Sequence, residues 1–328
     1  MLTSEVFKRL RQNPSGHAFT VEAVGGRDDV YLGVDMSQRP CLFVRGAATT
    51  LEPQLRTSHV SLVLGQEYMI QPPDQRIRSE RLNALTCETS DAADVDTFLV
   101  LVDALLARYG AGQIDPDALK GFFRSMVRLF SAASSSDLQG ERQGLWGELF
   151  MMYRWRGFRF WAPFWHSETN RKFDFSGVER RVEVKTAVGQ VRIHHFAHRQ
   201  IYSEGGEEIV IASLLLRKED AGLSLRDLIA QARSALMGTE HYFKLELAVR
   251  QAGMEAMDEP GPTYDSTEAS KLLAWYRASD APHFTMAEPP GVSQTHYRVD
   301  LSTAPRISSE DLSRWLDSWS AIAVAHSG

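Results

Sequence analysis

Two cysteines in 328 residues, Cys41 and Cys87, are too few for a disulfide-stapled secreted scaffold. Both sit in apolar segments, which predicts reduced core residues. Long apolar runs are missing as well. The longest worth noting, Ile209–Leu216, is far short of the roughly 20 residues that span a bilayer and reads as a buried strand. The first residues, Met1-Leu-Thr-Ser-Glu-Val-Phe-Lys, lack the basic stretch and apolar core of a secretory leader. These absences predict a cytoplasmic protein with no membrane partner. The chain is not basic either: a net charge of -6 excludes a protein that coats nucleic acid indiscriminately. No internal repeat is visible.

What remains is an ordinary globular composition, 43% hydrophobic and 24% charged, with length for about two domains. The charge is unevenly spread. Residues 154–199 hold ten Lys or Arg against four Asp or Glu, with four histidines, whereas from Gln200 onward the balance is eleven to nineteen. A basic segment in an acidic remainder suits a local phosphate-binding surface, and equally a solvated face.

Hydrophobic periodicity divides the chain. Val30–Val34, Cys41–Val44 and His59–Leu64 read as strands, after a helix from Ser4 to Gln12. The period then becomes helical over Val95, Phe98, Leu99, Val102, Leu105, Leu106 and Tyr109, with Gly110 as the stop. A second helix follows Asp115 as cap and Pro116, and Ser131–Ser136 is the clearest linker. This predicts a β-rich N-terminal domain over 1–110, a helix and Ser-rich linker over 111–136, and a second domain over 137–328. There a helix from Gln143 to Arg156 precedes a hairpin, strands at Gln190–His194 and Ile209–Leu216, and helices at Leu225–Leu236 and His241–Val249. Strands at Leu272–Tyr276 and His296–Leu301 and a helix at Glu310–Ser320 close the chain. The order describes an α/β sandwich with a mixed sheet.

The informative run is Lys172-Phe-Asp-Phe-Ser-Gly-Val-Glu-Arg-Arg-Val-Glu-Val-Lys-Thr186. In Val182-Glu183-Val184-Lys185 the period of two puts Glu183 and Lys185 on one strand face and both valines on the other. Asp174 lies nine residues before Glu183. Two carboxylates and an ammonium over such a strand can hold a divalent metal and a water beside a phosphate. By itself Glu-x-Lys is common on wet strands, so an exposed hairpin also fits. Glu148 adds weight, because it lies within the apolar stripe Leu145, Leu149, Met152, where an unpaired carboxylate is costly. At the stripe's edge it would snorkel, or pair with Arg142 or Arg156. Gly144 and Gly147 on the same turn would let this helix approach a sheet closely.

With an inward helix Glu, a strand Asp and Glu-x-Lys on the next strand, the chain resembles the core of the PD-(D/E)XK nuclease superfamily. Gly-Leu-Trp-Gly-Glu-Leu (144–149), Phe-Asp-Phe (173–175) and Val-Glu-Val-Lys-Thr (182–186) are similar to a bacterial PD-(D/E)XK-motif family encoded near restriction and phage-defence genes. Phe173 stands where the superfamily's name has Pro. The resemblance implies a restriction-endonuclease-like mixed sheet flanked by helices (α/β, of the α+β kind). It also implies a metal-dependent endonuclease that hydrolyses DNA, RNA remaining open. Asp174 and Glu183 would bind Mg²⁺ or Mn²⁺, Glu148 would complete or orient the shell, and Lys185 would position or activate the attacking water. Arg171, Lys172, Arg192, His195 and Gln200 are candidate nucleic-acid contacts. Defence-system partner proteins or a homodimer are compatible with this, and the alternative is a catalytically silent nuclease-fold module that binds nucleic acid or partners.

Two other groupings are weaker. His194, His195 and His198, with His166 upstream, lack a nearby cysteine, and adjacent strand histidines face opposite ways, which disfavours zinc. Trp155, Trp161 and Trp165 among arginines could stack on bases, but their spacing favours the core.

Overall fold

The computed structural model describes residues 2–12, 18–46, 54–73, 76–131, 138–166, 172–203, 205–254 and 261–325. The expected linker 131–136 lies outside them apart from Ser131. The chain divides into two compact units, Met1–Ala133 with Met237–Glu246, and Ser134–Leu236 with Leu247–Gly328.

The first unit starts with helix α1 (Leu2–Gln12) and continues through β1 (Phe19–Ala23), β2 (Val30–Val34), β3 (Pro40–Val44), β4 (Leu55–Arg56), β5 (Val60–Gln71) and β6 (Arg78–Cys87). The sheet order is β1-β2-β3-β6-β5-β4, and a parallel β1–β5 pairing closes five of these strands into a ring. Closure needs a bend in the long β5–β6 hairpin. The register shifts between Val63 and Gln66, where Gly65 takes φ 68° and donates its N–H to Asn83 Oδ1 at 2.9 Å. Val21, Tyr31, Phe43, Ile70 and Leu82 fill the interior, and Cys41 and Cys87 are free and buried. Helices α2 (Ala92–Tyr109) and α3 (Pro116–Phe130) complete the unit. Asp115 caps α3 by accepting from the Ala118 N–H at 2.7 Å. Its stripe Leu119, Phe122, Phe123, Met126 and Phe130 is buried. Thus α3 and residues 237–246 count with the first unit, whereas the sequence pattern ends the first domain at residue 110.

The second unit is α4 (Leu138–Arg154), α5 (Phe158–Trp161), β7 (Phe175–Ser176), β8 (Arg180–Val188), β9 (Ile193–Ala197), α6 (His198–Ile201), β10 (Glu208–Leu216), β11 (Lys218–Ser224), α7 (Leu225–Leu236), the end of α8 (Tyr242–Gln251), β12 (Thr263–Tyr264), α9 (Ser266–Leu272), β13 (Ala274–Arg277), β14 (His296–Asp300) and α10 (Ser309–Ala325). A mixed sheet, β13-β10-β8-β7, forms its centre, with β10 parallel to β8 and antiparallel to β13. β10 is buried at every position from Ile209 to Leu216, as a strand covered on both faces must be. On the face of Val184, Thr186 and Leu214 lies α4. A Cβ at Gly147 would fall inside the van der Waals shell of Thr186 Cγ2, 3.5 Å from Val184 Cγ1, so only glycine permits this approach. Gly144 has no such role, because a Cβ there meets no described atom within 4 Å. The opposite face carries Ile209 and Ile211, which pack with Phe196 of β9 and Val299 of β14.

Several sequence expectations shift. The helix expected from Gln143 begins at Leu138, and its burial extends beyond a stripe to Trp146, Phe150 and Met151. The strand expected at Gln190–His194 is β9, three residues later. Leu272 ends a helix, with β13 following. The missed helix start is Asp265, whose Oδ1 accepts from the Glu268 N–H at 2.9 Å. Trp161 and Trp165 are core residues, fully buried.

Candidate active site

β7 pairs with β8 only at Phe175–Val182 and Ser176–Arg181. Continuing that antiparallel register by one residue puts Asp174 opposite Glu183, and past this point no described strand pairs with β8 on that side. Asp174 Oδ2 accepts from the Val184 N–H at 2.7 Å, so the carboxylate is tied to that edge. Alternation along β8 turns Glu183 and Lys185 away from α4, and Lys185 Nζ sits 5.0 Å over the Phe196 ring. Glu148 arrives from α4, and its Oε2 accepts from the Trp165 indole N–H at 2.6 Å rather than pairing with Arg142 or Arg156. Arg142 instead donates to the Ala252 and Gly253 carbonyls, and Arg156 pairs with Asp317. Glu148, Asp174, Glu183, Lys185, His195 and Gln200 all line one cavity of about 500 Å³.

The electrostatics of this cavity are unusual. The Glu183 side chain is 2% exposed, its Oε1 lies 2.7 Å from Lys185 Nζ, and its Oε2 is buried with no hydrogen-bond partner among the described residues. Burial and then the Asp174 charge push its carboxyl up to about 8. Burial, followed by repulsion from Asp174, raises Glu148 well above the usual carboxylate range. Asp174 is raised by burial, against the opposing pull of Lys185 and the Val184 N–H. For Lys185, burial alone would lower the pKa, but Glu183, Asp174 and Glu148 outweigh it and raise it. The immediate neighbours of the ammonium are anions.

Ionising all three carboxylates beside one ammonium would leave two negative charges uncompensated in a buried place, a state that a divalent cation would stabilise. The orphaned Glu183 Oε2 and the all-oxygen donor set fit a hard cation. Among the described residues no three His, Cys, Asp or Glu side chains are grouped as a metal cage. An ion that keeps several waters, such as Mg²⁺, needs only one or two carboxylates. The set does not suit structural zinc. Two of the histidines, His194 and His198, are engaged elsewhere. His194 is buried with its Nε2 2.8 Å from Ser213 Oγ, while His195 is exposed on the other side. His198 Nδ1 is 3.0 Å from the Tyr297 hydroxyl and Nε2 2.8 Å from the Met286 carbonyl.

Of the candidate nucleic-acid contacts, Arg192 needs correction. It is 4% exposed, and its guanidinium donates to the Ser213 carbonyl at 2.8 Å, to Ser213 Oγ at 2.9 Å and to the Leu272 carbonyl. Its donors are spent on the protein's own backbone and on Ser213. Lys172 stands 3.7 Å from Glu207, which also pairs with Arg181 at 2.8 Å, and Arg180 pairs with Glu208 at 3.2 Å. The acids that follow residue 200 thus neutralise much of the basic segment. Arg171 lies outside the described residues. Gln200 has a position unlike the one expected: its Oε1 accepts from Lys185 Nζ at 3.2 Å and from the Ala197 N–H at 3.0 Å, so it orients the lysine. Trp165 was not singled out as a site residue. Its signal was available, since a buried indole N–H needs an acceptor.

A family model described as "Putative PD-(D/E)XK family member, (DUF4420)" matches residues 3–302. Comparison with curated proteins and with solved structures gives no match. The order of Glu148, Asp174, Glu183 and Lys185 and the span of that match, over nine-tenths of the chain, agree: the chain belongs to this PD-(D/E)XK family.

Proposed function

We propose that the chain is a divalent-metal-dependent endonuclease that hydrolyses phosphodiester bonds in DNA, working in bacterial restriction or phage defence. The observation that carries this reading is the buried, unpartnered Glu183 Oε2, beside Asp174 and Lys185 in an open cavity. Asp174 and Glu183 would hold Mg²⁺ or Mn²⁺, with Glu148 at their side. When bound, the cation supplies polarisation of the phosphoryl oxygen and a water of lowered pKa.

The chain's own residues do the rest. Trp165 fixes Glu148, and the Val184 N–H fixes Asp174, so neither carboxylate must reorganise when substrate arrives. Without the cation, the acids around Lys185 raise its pKa. Held by Gln200, the lysine acts as a hydrogen-bond donor to the charge that grows on the phosphate, in preference to taking a proton from water. The closed five-strand ring of the first unit would serve recognition, assembly or regulation.

The test is cleavage of plasmid and linear DNA, and of RNA, by the purified chain with Mg²⁺ or Mn²⁺ and with EDTA. Cleavage should need the metal. Lys185→Ala and Glu183→Gln should each lower it by at least about 100-fold. Undiminished cleavage in EDTA sinks the mechanism. One observation favours the silent module instead: the direct Lys185–Glu183 ion pair occupies a carboxylate oxygen that a metal would use. Calorimetric titration with Mn²⁺ separates the two, since the silent module predicts no binding that Glu183→Gln removes.

A further inference from the structure

Helix α4 carries three glycines, Gly140, Gly144 and Gly147, and glycine inside a helix is less favourable than alanine. Gly147 is explained by its contact with β8. Gly144 is not: it has helical backbone, and a Cβ there would meet no described atom within 4 Å. It lines the cavity, four residues after Gly140 and four before Glu148, so these three form one stripe on α4 that ends at the carboxylates. Ala248 and Ala252, at the C-terminal end of α8, line the same cavity. The space that the unpartnered Glu183 Oε2 lines thus has one stretch of wall, Gly140, Gly144, Ala248 and Ala252, with no side chain larger than a methyl, among bulkier neighbours such as Glu141, Gln143 and Gln251. At about 500 Å³ it has the size of a small-molecule site, far more than a hydrated ion fills.

We infer that Gly144 is a specificity-determining residue: its missing side chain makes room for one nucleotide unit of the substrate strand beside the scissile phosphate. This rests on the nuclease reading above. The small-residue stretch of Gly140, Gly144, Ala248 and Ala252 receives the sugar and base, while the end at Glu183 and Lys185 receives the phosphate. Gln143, held through its Nε2 donating to Thr186 Oγ1 at 3.0 Å, keeps α4 fixed against β8 at this wall.

The experiment is fluorescence anisotropy with a fluorescein-labelled single-stranded oligonucleotide and its duplex. Ca²⁺ replaces Mg²⁺, and the full-length wild type is compared with Gly144→Ala, Gly144→Leu and Gly121→Leu. Gly121 lies in α3, and a Cβ there also meets no described atom within 4 Å, so it controls for the substitution itself. Gly144→Leu is expected to weaken binding by about tenfold or more. Its Tm should be no lower than that of the wild type, and Gly144→Ala should raise Tm by about 2 °C. Gly121→Leu should bind as the wild type does. Equal binding by Gly144→Leu and wild type overturns the inference and leaves the nuclease reading standing. A wild type that neither binds nor cleaves either nucleic acid overturns both.

Discussion

The carboxylate of Asp174 accepts from the backbone N–H of Val184 at 2.7 Å, so a side chain takes the place of the strand that the two-residue β7 does not supply. The bond joins fold and chemistry: beyond its pairing with β7, β8 is held by one of the groups that give the cavity its charge. Removing the side chain and removing its charge should therefore have different consequences.

Asp174→Ala leaves the Val184 N–H without its partner and should cost about 1–3 kcal/mol, as a buried donor does when its acceptor is deleted. Asp174→Asn keeps an acceptor oxygen and removes a charge that repels Glu148 and Glu183. Its stability should equal or exceed that of the wild type. Urea denaturation in EDTA measures both. Cleavage should be lost in each, and an Asp174→Asn chain as unstable as Asp174→Ala would contradict the assignment.

Stability should also vary with pH in a definite direction. The Glu183 carboxyl, ordinarily at 4.5, is pushed up to about 8 by burial and by Asp174. Between those values the folded chain binds more protons than the unfolded one, so stability falls as pH rises through the window. Its contribution is complete below about 4.5 and gone above about 8, with a ceiling near 5 kcal/mol for a shift of that size. In EDTA, Tm should drop between pH 5 and pH 8, and Glu183→Gln should flatten the decline. Under the proposed function, Mg²⁺ would bind the deprotonated carboxylates and should reverse the trend. A metal-free Tm that rises over this range, in the wild type but not in the variant, would refute the argument.

Much of this site was legible because it is written in local periodicities. The alternation at 182–185 assigned the faces of β8, and the helical spacing around Glu148 located its inward position. Asp115 and Pro116 marked α3, and the apolar run 209–216 marked the buried strand. What escaped depends on contacts distant in sequence. Closure of the first sheet rests on Phe19–Ile70, a pairing that no local pattern announces. The role of Gln200 depends on a turn after β9 that brings residue 200 to residue 185. Arg192 read as a surface cation because nothing nearby in sequence shows that Ser213 and Leu272 surround it. Charge density along a chain does not reveal which cations are already paired.

The approach of α4 to β8 is a second place where one methyl group decides. Gly147→Ala should drive a Cβ into Thr186 Cγ2, and a β-branched side chain has little rotameric freedom to yield. Overpacking of this kind costs about 1–3 kcal/mol. Thr186→Ser deletes that methyl and keeps the hydroxyl that accepts from Gln143. The double variant should recover most of the loss, a coupling that a double-mutant cycle reads directly. Additive losses would mean that the strain lies elsewhere.

Arg192 separates a structural cation from a phosphate-binding one. Its guanidinium satisfies the carbonyls of Ser213 and Leu272 and the Ser213 hydroxyl, and burial lowers its pKa. Arg192→Ala leaves those acceptors without their donor and should cost at least about 2 kcal/mol in denaturant unfolding. Nucleic-acid binding by the folded variant should keep its dependence on salt. Loss of one phosphate contact lowers the slope of log affinity against log salt by roughly 0.9, and the slope should stay well within that of the wild type. A folded Arg192→Ala chain whose slope falls by a full contact, with little change in stability, would show that the guanidinium reaches the substrate after all.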